Sequence, residues 1–376
     1  MEFRDLKKQY EVLKSEIDNQ ISDVINSAHF ISGPQVKKLE DNLAEYVGVK
    51  HCVTCANGTD AITLAMMVWN IGQGDAVFVP DFTFFSSGEC PAYEGATPIF
   101  VDVDEKTYNI CPQRLEEAIQ TVIKEGKYKP KAVIAVDLFG LPAEYDVIRS
   151  ICDKHDLFLL EDGAQGFGGE INGKRACSFG DIATTSFFPA KPLGCYGDGG
   201  AVFTNNDEWA ALIRSYAIHG KSGSDKYNNI RLGINSRLDT MQAAILLPKL
   251  EAFEEYEISS VNKAAEYYTE RLSSTDCVLP IIEENYMSSW AQYTIQLPYG
   301  VDREKIQTAM KEKGIPTMVY YPKPMHMQGA FVETVSSEAS CPVTEKLCKK
   351  VLSLPIHPYL EKKDIDYIAD TLIKLL

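Results

Sequence analysis

Basic residues are the scarce class in this chain. The 37 lysines and arginines stand against 53 aspartates and glutamates, a formal charge of −16 over 376 residues. That balance excludes an electropositive nucleic-acid surface, while leaving room for a small anionic substrate held by a few well-placed cations. Long apolar runs are also missing. No window approaches the ~18 uncharged apolar residues of a membrane span. The opening MEFRDLKKQYEVLK has no apolar h-region, so no signal peptide is expected and the chain is read as cytoplasmic. Metal spacing is lacking too: Cys52-Val-Thr-Cys55 is a lone CxxC with only His51 nearby, whereas zinc takes a second pair or histidines at ligand distance. The ten cysteines, scattered between Cys52 and Cys348, are expected to be reduced and mostly buried, with no metal bound. Gly166-Phe-Gly-Gly169 is not a GxGxxG fingerprint. Gly173-Lys174-Arg175 lacks the preceding glycine of a Walker loop.

What is present is an ordinary globular composition, 45% hydrophobic and 24% charged, over a length that suits about two domains. Strand-like apolar runs stand at 51–56, 76–80, 98–104, 131–140, 157–162, 182–188 and 201–205, with helical patterns such as 115–126 and 145–156 between them. Strands separated by helices imply crossovers, so a mostly parallel seven-stranded sheet covered on both faces is expected over residues 1–250. A long helix over about 239–273, kinked or broken at Pro248, should lead into a smaller α+β domain at 251–376. That domain is expected to contain strands at 291–297 and 316–321 and helices at 303–314 and 362–375. Residues 220–229, GKSGSDKYNN, form the clearest loop.

Chemistry-bearing residues gather where such folds bind ligands, at the carboxyl ends of strands. Asp162 ends LFLLED. Lys191 lies just past the next strand, in SFFPAKPLGCYGDGG, a proline- and glycine-rich stretch unable to continue a strand. Two readings stand for this pair. One is a plain salt bridge. The other is pyridoxal phosphate chemistry, in which a lysine amine joins the cofactor aldehyde and an aspartate keeps the pyridine nitrogen protonated. A phosphate cradle is available at Asn57-Gly58-Thr59, where a strand turns into an apolar helix: glycine lets the backbone come close, and the helix start presents unpaired N–H groups. Ser186 can add a hydroxyl. The run Phe82-Thr83-Phe84-Phe85 offers a ring for stacking, although core packing is the ordinary fate of such a run.

The segments ANGTDAI, LEDGAQ, SFFPAKPLGCYGDGG, GINSRLDTMQAA and LSLPIHPYL, in this order along the chain, resemble the DegT/StrS-type nucleotide-sugar aminotransferases, of the aspartate aminotransferase fold (PLP fold type I). The resemblance spans essentially the whole chain. It implies that pyridoxal 5'-phosphate is the cofactor, with Lys191 as the Schiff-base lysine and Asp162 as the pyridinium partner. It further implies Gln165 beside the 3-hydroxyl, Gly58, Thr59 and Ser186 around the phosphate, and Phe84 as the stacking ring. Asn235 would reach the phosphate from a neighbouring subunit, making a homodimer with shared active sites. The likeness is strongest to aminotransferases of UDP-2-acetamido-2-deoxy-3-keto-glucuronate (ribo-hexuluronate), used for bacterial surface polysaccharides. Glutamate would be the amino donor, with no nucleic-acid or membrane partner.

Substrate recognition would fall to Arg237, whose guanidinium fork suits a uronate carboxylate, and to Tyr320 and Tyr321. The alternative role for Arg237 is an ordinary ion pair. Tyr320-Tyr321-Pro322 departs from the His-Tyr-Pro of that branch; His326 is a candidate replacement, and His219, Lys221 and Lys226 could meet a diphosphate. The alternatives are an aminotransferase of a 4-keto-6-deoxy or 3-keto-6-deoxy nucleotide sugar, a sugar dehydratase (in which histidine commonly replaces the lysine, so Lys191 argues against it), and a non-catalytic regulatory protein of the same fold.

Overall fold

The computed structural model describes residues 1–222, 227–331 and 340–376; Lys226 lies outside the described residues. Two helices, α1 (Leu6–Ser27) and α2 (Pro34–Val47), precede a sheet whose seven strands are those expected from the sequence. They are β1 (His51–Cys55), β2 (Asp75–Pro80), β3 (Thr97–Val101), β4 (Lys129–Val136), β5 (Phe158–Asp162), β6 (Ile182–Ser186) and β7 (Gly200–Thr204). Helices α3 (Gly58–Val68), α4 (Phe85–Tyr93), α5 (Pro112–Glu125) and α6 (Tyr145–His155) make the crossovers, and the strand order is β1-β7-β6-β5-β4-β2-β3. Four neighbour pairs are parallel; β7 alone runs against both of its neighbours.

The local sequence explains these choices. In β4, Ala132 to Val136 are all buried, the continuous apolar run of a strand covered on both faces. In α5, Leu115, Ile119 and Val122 form one buried stripe; Pro112 starts the helix, and Gly126 ends it with φ at 64°. Cys52 and Cys55 stand three apart on a strand and therefore face opposite sides, each in a different apolar cluster. Burial pushes both thiols up, and the CxxC is plain packing.

Past α7 (Asp207–Tyr216), the expected long helix is present in altered form. Pro248 sits inside α8 (Thr240–Ala252) without ending it, and the irregularity is a π-turn at Phe253–Glu257 before α9 (Ile258–Leu272). The remaining core packs Tyr268, Trp290 and Tyr293 among aliphatic side chains of α9, α10 (Arg303–Glu312) and α12 (Lys362–Leu375). A two-stranded antiparallel sheet, β8 (Tyr293–Gln296) with β9 (Val351–Leu354), joins this core, preceded by α11 (Pro342–Lys350).

The expected strand at 316–321 does not form. Met318 exchanges two backbone hydrogen bonds with Ser353, and the chain then leaves the sheet. Pro316 and Pro322 flank the segment and cannot donate to a ladder; Tyr320 and Tyr321 instead line the cleft described next. No helix among the described residues is long and apolar enough to cross a membrane.

Candidate active site

The register of the sheet assembles the site. Gly200 pairs with Cys55 on one side and Ser186 on the other, and Asp162 pairs with Thr184. The ends of β1, β5 and β6 and the start of β7 therefore meet at one edge of the sheet, over a cleft of about 890 Å³. That volume lies at the upper end of ordinary ligand sites.

The phosphate cradle is built from glycines by exclusion. A Cβ on Gly200 would stand 2.5 Å from the carbonyl of Asn57, and one on Gly58 would stand 2.8 Å from Ser186 Cβ. Only glycine lets the start of α3 lie this close to Ser186. Asn57 caps α3 by accepting from the Asp60 N–H at 2.8 Å, which leaves the first-turn amides of Gly58 and Thr59 facing the cleft. Thr59 Oγ1 and Ser86 Oγ lie 2.8 Å apart beside them. These donors, with the positive end of the helix, are the chemistry a phosphate requires.

Asp162 is buried. Its carboxylate accepts from Ser87 Oγ at 2.8 Å and from the Ala164 N–H at 3.2 Å. Burial raises its pKa, and those two donors and Lys191 oppose the shift. Lys191 acts on it through space, and its own amine is lowered, first by burial and also by Arg4, against the pull of Asp162. A lowered amine beside a dry carboxylate suits proton transfer at neutral pH better than a strong static ion pair.

Gln165 is oriented from both ends: its carbonyl oxygen accepts from the Phe139 N–H at 2.8 Å, and its amide donates to Tyr321 Oη at 3.0 Å. Phe84, the N-cap of α4, is 53% exposed at the cleft wall, where its ring is open to a flat partner. Tyr320 and Tyr321 also line the cleft, the Tyr321 ring centroid 6.5 Å from that of Phe84; burial pushes the Tyr321 phenol up, so it remains a donor.

Gly58, Thr59, Phe84, Asp162, Gln165, Ser186, Lys191, Tyr320 and Tyr321 thus share one cleft. Asn235 and Arg237 do not: both are exposed outside it, Arg237 Nη2 donating to Asn235 Oδ1 at 2.7 Å. His219 is exposed, and Lys221 also stands away from the lining. His326 does not replace the missing histidine. It is buried, with Nδ1 2.7 Å from Asp81 Oδ2 and its backbone N–H donating to Asp81 Oδ1 at 2.8 Å, a latch tying the cleft wall to the end of β2. Cys341 lies near the pair, but both carboxylate oxygens already accept from His326.

Sequence reasoning missed Ser87, the residue that fixes Asp162, because it sits among aromatics read as a stacking group. It also missed a second carboxyl pair below the site. Asp137 and Glu161 are fully buried; Asp137 accepts from Tyr145 Oη at 2.7 Å and the Ala143 N–H at 3.2 Å, and Glu161 accepts from the Phe179 N–H at 2.6 Å. Burial raises both, Glu161 to about 7, and each raises or buffers the other. Burial, and next the Glu161 charge, favour the protonated form of Asp137. A carboxyl raised in the folded state loses stability as pH climbs from its unfolded pKa through the folded one, here from about 4 upward. Asp137→Asn, which supplies the proton permanently, should melt no lower than the parent at pH 8. Asp137→Ala strands two buried donors and should cost about 2 kcal/mol or more. Thermal melts across pH check both.

Fold and site together define a pyridoxal phosphate-dependent enzyme of the aspartate aminotransferase fold, fold type I: the cradle, the dry carboxylate and the lowered amine match the phosphate, ring nitrogen and aldehyde of that cofactor. The chain belongs to the DegT/DnrJ/EryC1/StrS aminotransferase family, whose model matches residues 11–373. It is 46% identical over 372 residues to the UDP-2-acetamido-2-deoxy-3-oxo-D-glucuronate aminotransferase of Pseudomonas aeruginosa, covering 99% of each chain. A DegT/DnrJ/EryC1/StrS aminotransferase from Brucella abortus superimposes with a TM-score of 0.96 at 44% identity, over 100% of this chain and 99% of that one. The ntda protein of Bacillus subtilis, solved with bound cofactor PMP, gives a TM-score of 0.87 at 30% identity, over 96% of this chain and 81% of that one. The protein is a PLP-dependent aminotransferase acting on a keto group of a nucleotide sugar.

Proposed function

We propose that the substrate is a UDP-linked 2-acetamido-3-keto-hexuronate, aminated at C3 with glutamate as donor in the cytoplasm, for bacterial surface polysaccharide synthesis. The observation that carries the cofactor chemistry is the delivery of Asp162 and Lys191 by neighbouring strands to the edge that holds the Gly58 cradle. The cofactor, when bound, serves as an electron sink and carries the amino group between donor and acceptor. Gly58, Thr59 and Ser186 hold its phosphate, Asp162 holds the ring-nitrogen proton, Gln165 meets the 3-hydroxyl and Phe84 covers the ring. Lys191, once its amine is free, moves the proton at the substrate carbon in each half-reaction.

Charge supports a functional homodimer. Asp60, Asp162 and Asp198 line the cleft, and beside Lys191 the single described cation on its lining is Lys323. A cofactor phosphate, a nucleoside diphosphate and a uronate need more positive charge than that. Asn235 and Arg237 of a second copy would supply it, and the exposed side chains of Ile230 (55%) and Leu232 (91%) beside them suit a subunit contact. The 46% identity to an enzyme named for the 3-oxo-glucuronate supports the uronate over 4-keto-6-deoxy or 3-keto-6-deoxy sugars. Residues 1–250 would then carry the cofactor and 251–376 the substrate-side wall.

A panel of keto sugar nucleotides tests the reading. The 3-keto-uronate should be turned over best, and Arg237→Ala should lower its kcat/KM by about 10–100-fold, the range for one charge-assisted pair. A parent enzyme that prefers a 4-keto-6-deoxy sugar, or an Arg237→Ala variant with unchanged kcat/KM, contradicts the uronate assignment.

A further inference from the structure

The loop that carries Lys191 is gripped from behind by two cations that the proposed chemistry does not use. Arg4, from the N-terminal segment, donates from Nη2 to the Pro192 carbonyl at 2.9 Å, across 188 residues of sequence. Lys249, on α8 and only 1% exposed, donates its Nζ to the Gly194 carbonyl and lies 4.8 Å from the Tyr196 ring centroid. Gln242, also on α8, accepts from the Tyr196 N–H at 2.9 Å. Residues 192, 194 and 196 are therefore held in turn. Gly194 admits no side chain, since a Cβ there would stand 2.5 Å from the Pro189 carbonyl oxygen.

Such a pair is an expensive way to hold two carbonyls, because a buried ammonium without a carboxylate at contact costs more than a neutral donor. The nearest compensating charge is Glu257, 1% exposed, whose oxygens accept from Gln9 Nε2 at 2.8 Å and 3.1 Å and from Tyr359 Oη at 2.5 Å. The groups facing the pair are Glu257 of the π-turn, Cys195 of the loop itself, and Tyr359 and His357 near the C-terminus. His357 is buried and pushed down to about 4 by burial and by Arg4, so it adds no charge. Asp5, next to Arg4 in the chain, adds a second carboxylate on this side, and burial lowers the Lys249 amine to about 8; of the two clamp cations, Arg4 is the one that acts on the Lys191 amine, against Asp162.

We propose that Arg4 and Lys249 are positioning residues, a clamp that fixes the loop behind Lys191 through the Pro192 and Gly194 carbonyls. The N-terminal segment and α8 then belong to the active-site machinery, although neither touches the substrate. This rests on the reading of Lys191 as the cofactor-bearing lysine.

The test uses Lys249→Met, Arg4→Gln and Arg4→Lys in the full-length protein. Cofactor-free protein is trace-labelled with acetic anhydride across pH, and Lys191 is followed by peptide mass spectrometry. The labelling midpoint should rise in Arg4→Gln and return toward the parent in Arg4→Lys, and the labelling profile of Lys191 should change in Lys249→Met as the loop loses its hold on Gly194. In the loaded enzyme, kcat should fall tenfold or more in the first two variants with KM for the amino donor within twofold, and Lys249→Met should melt no lower than the parent. Labelling midpoints and kcat that match the parent in both variants would overturn the proposal, as would a loss confined to the melting temperature. Should Lys249→Met not fold, Arg4→Gln decides by the same readouts. The labelling arm reads the amine whether or not a nucleotide sugar is turned over, so a wrong substrate assignment leaves it standing.

Discussion

Lys191→Ala should lower transamination by about 10⁴-fold or more, the upper range for loss of a positioned acid–base group. The structure gives the reason for so large an effect. Lys191 is the cleft amine beside Asp162, with its charge disfavoured by burial and by Arg4. The other lysine on the lining among the described residues is Lys323, which is exposed. Small amines added to the assay should restore part of the proton transfer, since the cradle at Gly58 and Ser186 is untouched by the change. Steady-state rates with and without methylamine measure both. A variant retaining more than a hundredth of parent activity would place the proton transfer elsewhere.

Asp162→Asn should be the second largest loss, about 10²- to 10³-fold in kcat, because it removes a charge while keeping the shape. The Ser87 hydroxyl and the Ala164 N–H, which hold the carboxylate in place, can still find an acceptor in the amide. What disappears is the anion that holds a proton on the ring nitrogen. The sign of the accompanying pH effect follows from the geometry: Asp162 raises Lys191, so its neutral replacement lets the uncharged amine persist to lower pH. The acidic limb of the kcat profile should move down. A limb that moves up, or a kcat within threefold of the parent, would contradict the role given to this carboxylate.

The sheet was legible because each strand is a compact apolar run bounded by turn residues, and parallel strands buried on both faces read the same wherever they occur. The motifs at Asp162, Lys191 and Gly58 were legible because a phosphate cradle and a lysine–aspartate pair need few residue types at strand ends. Two elements misled. Pro248 was expected to kink or break the long helix; it lies inside α8, which runs on to a π-turn starting at Phe253. The apolar stretch 316–321 has strand composition but lies between prolines, and tertiary pairing captures only Met318. Long-range partners were invisible for a different reason. Ser87 with Asp162, Asp81 with His326 and Arg4 with Pro192 join residues 75, 245 and 188 positions apart, and no local pattern announces such contacts. Tyr320 was placed by the sequence at the substrate wall, and it does line the cleft. His326, weighed as its replacement, turned inward to a carboxylate that no spacing rule would have paired with it.

The account rests on Lys191 as the residue that joins the cofactor. Borohydride reduction of the protein loaded with pyridoxal 5'-phosphate, followed by digestion and mass mapping, reads that bond directly. One phosphopyridoxyl group per chain should be found on Lys191, and none should remain in Lys191→Ala. A stable adduct on any other lysine, or a reduced protein carrying no adduct at all, would contradict the account.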